Sequence, residues 1–120
     1  MACVLIIDDS PTEQVGLSHM LQKHGHSCTF ASTGAAGINA AKASKPDVIL
    51  MDVVMPDTNG YQATRKISTD PETKDIPIII VSTKNQPTDR VWGLRQGAKE
   101  YLTKPVDEAA LIAAIQSVLK

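Results

Sequence analysis

Residues 3–11 read CVLIIDDSP: an unbroken apolar run, two carboxylates, then Ser10 and Pro11. The run is too short for a helix and too continuous for a half-exposed strand, which predicts a central parallel strand buried on both faces. Ser10 as N-cap, Pro11 in the first turn and Glu13 at N3 then open a helix with the stripe Leu17, Met20, Leu21 and His24, closed by Gly25. Two further runs of the first kind are Val48 to Met51 and Ile76 to Val81, whereas residues 27–31 and 99–103 alternate in the manner of sheet edges. Helical stretches fall between them at about 34–44, 60–69 and 87–96, and from Asp107 onward; the polar residues 70–75 form a loop after the third. The fourth helix carries Gly93 and is intrinsically weak, while the fifth buries Leu111, Ala114, Ile115 and Val118. Strict alternation of strand and helix predicts an α/β domain on a parallel sheet.

The 120 residues are 42% apolar with a net charge of -1. That length suits one domain able to bury about two-thirds of its unfolded surface, with no need of disulfides or a structural metal. The charge balance argues against nucleic acid held by phosphate neutralisation. No apolar run approaches the ~20 residues a bilayer requires, and no signal-peptide pattern opens the sequence, so a cytoplasmic protein with no membrane insertion is expected. Cys3 and Cys28 sit in apolar segments without metal-knuckle spacing and are expected to be buried, reduced thiols.

In such a sheet, ligands bind beyond the carboxyl ends of the strands, where the winding reverses. The residues there are Asp8 and Asp9, Asp52, Ser82 with Thr83, and Lys104 with Pro105. Each alone reads as capping or loop chemistry. Together they do not, because like charges about 5 Å apart at an effective dielectric near 20 repel by ~3 kcal/mol. A bound cation offsets that repulsion, and an all-oxygen, carboxylate-rich site suits Mg²⁺ or Mn²⁺ rather than Zn²⁺.

Residues 6–11 (IIDDSP), 51–60 (MDVVMPDTNG), 81–83 (VST) and 101–105 (YLTKP) resemble the motifs of two-component response regulator receiver domains, in register over the whole chain. The resemblance implies a flavodoxin-like doubly wound sheet in the order 2-1-3-4-5. It also implies Asp52 as phosphoacceptor, Asp8 and Asp9 as the acidic pair, Ser82 as switch hydroxyl, Lys104 as the site lysine and Tyr101 as switch aromatic. Mg²⁺ is then held by Asp9, Asp52 and the main-chain carbonyl of Val54, with Asp8 orienting its waters, and the bond before Pro105 is expected to be cis. A histidine kinase is the implied donor, and helix 4, strand 5 and helix 5 the implied surface for a downstream protein. Residues 81–106, with 8–13 and 23–26 (KHGH), resemble more narrowly the PilH type of regulator in chemosensory control of type IV pili and twitching. Chemotaxis and phototaxis regulators, and a phosphate sink for a shared kinase, are the alternatives. The sequence stops as helix 5 ends, so a single receiver domain without an output domain is expected.

Two other classes are disfavoured. Dehalogenase-like phosphatases place a second acid two residues after the nucleophile, where this chain has Val54. Flavodoxin-type carriers need a phosphate-cradling loop that Asp8 and Asp9 would repel. Of the remaining residues, His24 and His26 are read as a solvated helix-end turn, and Met51 and Met55 as gap fillers. Val91 and Leu94 share a helix 4 face; Trp92, rotated from it, is either a core-edge residue or a partner anchor, and Ile112 and Leu119 extend the exposed apolar surface.

Overall fold

A computed structural model describes residues 2–56 and 59–119; Asp57 and Thr58 of the 51–60 motif lie outside them. The elements are β1 (Cys3–Ile7), α1 (Pro11–Gln22), β2 (Ser27–Ala31), α2 (Gly34–Ser44) and β3 (Val48–Met51), then α3 (Gly60–Thr69), β4 (Ile78–Ser82), α4 (Pro87–Arg95), β5 (Glu100–Thr103) and α5 (Glu108–Val118). All strand pairs are parallel, in the order β2-β1-β3-β4-β5.

The continuous apolar runs have a direct cause. Leu5, Ile7, Ile49, Met51, Ile78 and Ile80 face one core layer with α2 and α3, while Val4, Ile6, Val48, Leu50, Ile79 and Val81 face the other with α1 and α5. Every position that faces these two layers meets a helix and is apolar, and the polar Ser82 comes only at the carboxyl end of β4. Burying each Ile or Leu fully stabilises by about 1.5–3 kcal/mol, which makes the three central strands the rigid part of the domain.

Helix starts follow their caps. The side chains of Ser10, Thr33 and Asp107 accept N–H bonds from Glu13, Ala36 and Ala110, and Asn59 accepts from Tyr61. Several boundaries differ from expectation. The fourth strand begins at Ile78, because Pro77 has no N–H to give and the Ile76 N–H turns back to Thr73 O at 3.0 Å. Helix α1 ends at Gln22 with Lys23 as cap, so His24 is exposed beyond the helix and outside its buried stripe.

Other expectations are corrected. Val91, Trp92 and Leu94 are all exposed, at 51%, 50% and 37%; the buried position of α4 is Gly93. A Cβ there would meet Ile80 at 2.7 Å and the Tyr101 ring at 3.0 Å, so the missing side chain is what lets the helix sit down. Ile112 is buried in the α5 core and does not extend the exposed surface, as Leu119 does. His26 is buried rather than solvated, its Nδ1 accepting the Ala2 N–H at 3.0 Å. Cys3 and Cys28 are free thiols, but half-buried: Cys3 opens β1 at the rim of the sheet, and Cys28 lies on the edge strand β2, which has little cover.

Candidate phosphoryl and metal site

Parallel strands deliver their carboxyl ends to one edge. Ile7 of β1 lies beside Met51 of β3, so the residues that follow, Asp8 and Asp52, emerge side by side at the crevice where the winding reverses. Across it, Ser82 ends β4 and Lys104 follows β5, the Lys104 N–H reaching Ser82 O at 2.8 Å. The bond between Lys104 and Pro105 is cis.

The Lys104 ammonium donates to Asp8 Oδ2 at 2.8 Å and stands 3.9 Å from Asp52 Oδ2, with only 9% of its side chain exposed. Burial alone would lower its pKa; the hydrogen bond to Asp8, with the charges of Asp52, Asp8 and Glu13, outweighs burial and raises it. The lysine is a fixed cation. Asp52 is buried too, its Oδ1 accepting the Val54 N–H at 3.2 Å. Burial pushes its carboxyl up, and Asp8 and Asp9 add to that against the pull of the Val54 N–H and Lys104. Asp8 is pinned by the Ser10 N–H on Oδ1 at 2.9 Å, while Asp9 is exposed at the mouth.

One carboxylate oxygen from each of Asp8, Asp9 and Asp52 falls within 4.8 Å of the other two. Three hard oxygen donors in a site open on one side fit a hexacoordinate divalent cation that keeps waters, as Mg²⁺ or Mn²⁺ does. Ser82 is fully buried with its Oγ accepting the Lys84 N–H at 3.3 Å; Thr83 is exposed. Tyr101 is buried, its hydroxyl donating to Lys84 O at 2.8 Å. All the residues singled out from the strand ends, Thr83 aside, thus converge, and the arrangement can hold a cation and a phosphoryl anion against one buried carboxylate.

The chain matches the response regulator receiver domain family over residues 4–116. The chain belongs to that family. The receiver is 58% identical over 119 residues to protein PilH of Pseudomonas aeruginosa, covering 99% of this chain and 98% of that one. It is 33% identical to the response regulator PleD of Caulobacter vibrioides, of which it spans 26%. Among solved structures it resembles chemotaxis protein CheY4 of Vibrio cholerae, with TM-score 0.91 and 32% identity over 99% of both chains. The receiver domain of sensor histidine kinase PA1611 from Pseudomonas aeruginosa, with a magnesium ion coordinated in its active-site cleft, matches at TM-score 0.90 and 30% identity over 98% of this chain and 97% of that one.

The receiver also uses residues to which the sequence reading gave no role at the site. Glu13, read only as a helix N3 position, brings its carboxylate to 3.6 Å from Lys104 Nζ. Gln14 donates to Asp8 O at 2.6 Å, and Tyr61 ties α3 to α4 by donating to Asp89 Oδ1 at 3.1 Å. Gly60 packs against the Asp52 carbonyl and Val53 Cα, where no Cβ would fit. Glu13 lies in the first turn of α1, directly after the Asp8 and Asp9 pair, and that nearness is the sequence signal that could have found it.

Proposed function

We propose that the receiver accepts a phosphoryl group on Asp52 from the phosphohistidine of a chemosensory histidine kinase and signals by protein contact in control of type IV pilus twitching motility. The observation that carries the chemistry is the Lys104 ammonium held between Asp8 and Asp52, beside three clustered carboxylates. The pilus assignment is supported by the 58% identity to PilH over nearly all of both chains.

An Asp52 oxygen attacks phosphorus in line; the new P–O bond forms as the P–N bond of phosphohistidine breaks and the imidazole departs. Lys104 lies against a phosphoryl oxygen, and Ser82 turns its hydroxyl to donate to another. Asp9, Asp52 and the Val54 carbonyl, with Asp8 through water, would hold Mg²⁺; Mn²⁺ suits the same donors. The bound cation supplies charge neutralisation for the transferring group. Movement of Ser82 toward Asp52 pulls Lys84, and with it Tyr101, which carries the change to α4, β5 and α5. The protein is a phosphoacceptor with self-phosphorylation and self-dephosphorylation chemistry rather than a turnover enzyme, acting in the cytoplasm as a single domain.

Acetyl phosphate with Mg²⁺ is expected to add one phosphoryl group to the wild type and none to Asp52→Asn. Ser82→Ala and Lys104→Ala are expected to keep part of the labelling and lose the accompanying change in α4 amide exchange. Labelling of Asp52→Asn at the wild-type rate would assign the chemistry elsewhere.

A further inference from the structure

A cavity of about 520 Å³ opens between α3 and α4, and no residue of the acid cluster lines it. On the α3 side Gln62, Arg65 and Lys66 share a face at spacings of three and four; on the other, Trp92 and Gln96 stand one turn apart. Among the described residues no acidic side chain lines it, and neither cation has a carboxylate within ion-pair distance. Trp92 is 50% exposed and also borders a second hollow of about 330 Å³, so its indole stands as a wall with uncovered surface. Gln96 is only 8% exposed; its main-chain N–H and C=O are both bonded, yet among the described residues its side-chain amide takes no protein partner.

Each feature asks for a different part of one ligand. Two uncompensated cations call for a compact anion, a bare indole for a planar ring, and an amide that both donates and accepts for a heterocycle edge. The volume lies in the range of small-molecule sites, about 300–1,000 Å³, rather than of an extended peptide groove. We propose that this cavity binds a nucleotide-type anion, with the base against Trp92, its edge read by Gln96 and the phosphate on Arg65 and Lys66. The site shares no residue with the acid cluster, so it goes beyond the function proposed above and stands independently of it.

Trp92 is the chain's single tryptophan, so its fluorescence reports the site directly. Titrations with AMP and GMP in EDTA, which removes any contribution from cation-bound phosphate, are expected to give saturable quenching that weakens as salt rises. Adenosine, guanosine and inorganic phosphate should each bind about tenfold more weakly or worse, because each lacks one half of the recognition. Arg65→Gln with Lys66→Gln should weaken AMP and GMP about tenfold, and Gln96→Ala about threefold, with melting retained. Absence of saturation by ~10 mM nucleotide, unaltered quenching in the Arg65 and Lys66 variant, or saturable binding of hexaglutamate in place of nucleotide would overturn the proposal.

Discussion

Tyr101 and Lys84 are joined by a 2.8 Å hydrogen bond from the phenol to the main-chain carbonyl, and the N–H of the same lysine is spent on Ser82 Oγ. The main chain of one residue thus connects the buried hydroxyl at the acid cluster to the buried aromatic of β5.

Removing the phenol tests that connection. Tyr101→Phe is expected to cost about 1 kcal/mol in urea unfolding, the net worth of one such bond. Amide exchange at residues 83–86 should rise, while acetyl phosphate labelling persists. Unchanged exchange in that loop would mean the hydroxyl does not hold it.

The exposed member of the acid cluster should be the one whose loss is tolerated. Among the described residues Asp9 has no hydrogen-bond or ion-pair partner, so Asp9→Asn relieves repulsion without stranding one, and apo Tm should rise by about 3 °C. Mg²⁺ should raise the wild-type Tm, by about 1.4 kcal/mol of stability at ten times its dissociation constant, and do less for the variant. A flat wild-type Mg²⁺ titration would remove the cation site.

Two glycines should respond in opposite directions. Gly60→Ala drives a methyl into the Asp52 carbonyl and Val53 Cα, main-chain atoms that cannot swing away, so α3 must move off the site and stability should fall by ~3 kcal/mol or more. Gly16→Ala meets nothing within 4 Å on an exposed turn of α1 and should stabilise by about 0.5–1 kcal/mol. Chemical denaturation of both variants checks the pair; equal effects would show that the close approach at Gly60 is not what fixes α3.

Most of this architecture is legible in the amino-acid sequence. Runs such as Val48 to Met51 have no stable place except a strand covered on both faces, and parallel strands send the acids that follow them to a common edge. What stayed hidden depends on shape or distance in the chain. Hydropathy cannot show that α4 docks through Gly93, an absent side chain, while Val91 and Leu94 face outward. His26 looks like a turn residue until it is seen capping Ala2, 24 residues earlier. Pro77 shortened β4 for a reason the residue itself announces, the missing N–H.

His26 should give the fold an acid sensitivity. Burial, then the N-terminal amine and His24, holds its pKa below the ordinary 6.5, and Nδ1 can accept from Ala2 only while unprotonated. The unfolded chain therefore binds more protons in the window just below 6.5; this contribution is whole above that pH and is lost as pH falls toward the folded-state value. Melting from about pH 7.5 to about 5.5 should show a decline that His26→Asn, whose amide oxygen can still accept, reduces. Equal declines in both proteins would place the sensitivity elsewhere.

The lifetime of the aspartyl phosphate should be set by two side chains that flank it. Val54 follows Asp52 by two residues and has its N–H on Asp52 Oδ1; Lys84 follows Ser82 by two and has its N–H on Ser82 Oγ. Both residues are exposed, Val54 at 48%, while Asp52 and Ser82 beneath them are buried, so their side chains form the solvent rim of the site. Val54 has no polar atom to position that water, and the Lys84 ammonium can cover phosphoryl oxygens. Phosphoryl loss after donor removal is therefore expected to be slow. Val54→Asn with Lys84→Glu supplies an amide and an acid at these positions, keeps the main-chain bonds to Asp52 and Ser82, and should speed the loss about tenfold or more, a barrier change of ~1.4 kcal/mol. Raising ionic strength should shorten the wild-type lifetime more than that of Lys84→Ala, because screening acts on the exposed ammonium. A double variant that loses phosphate no faster than wild type would show that hydrolysis is limited by the buried groups, Lys104 and Ser82, rather than by the rim.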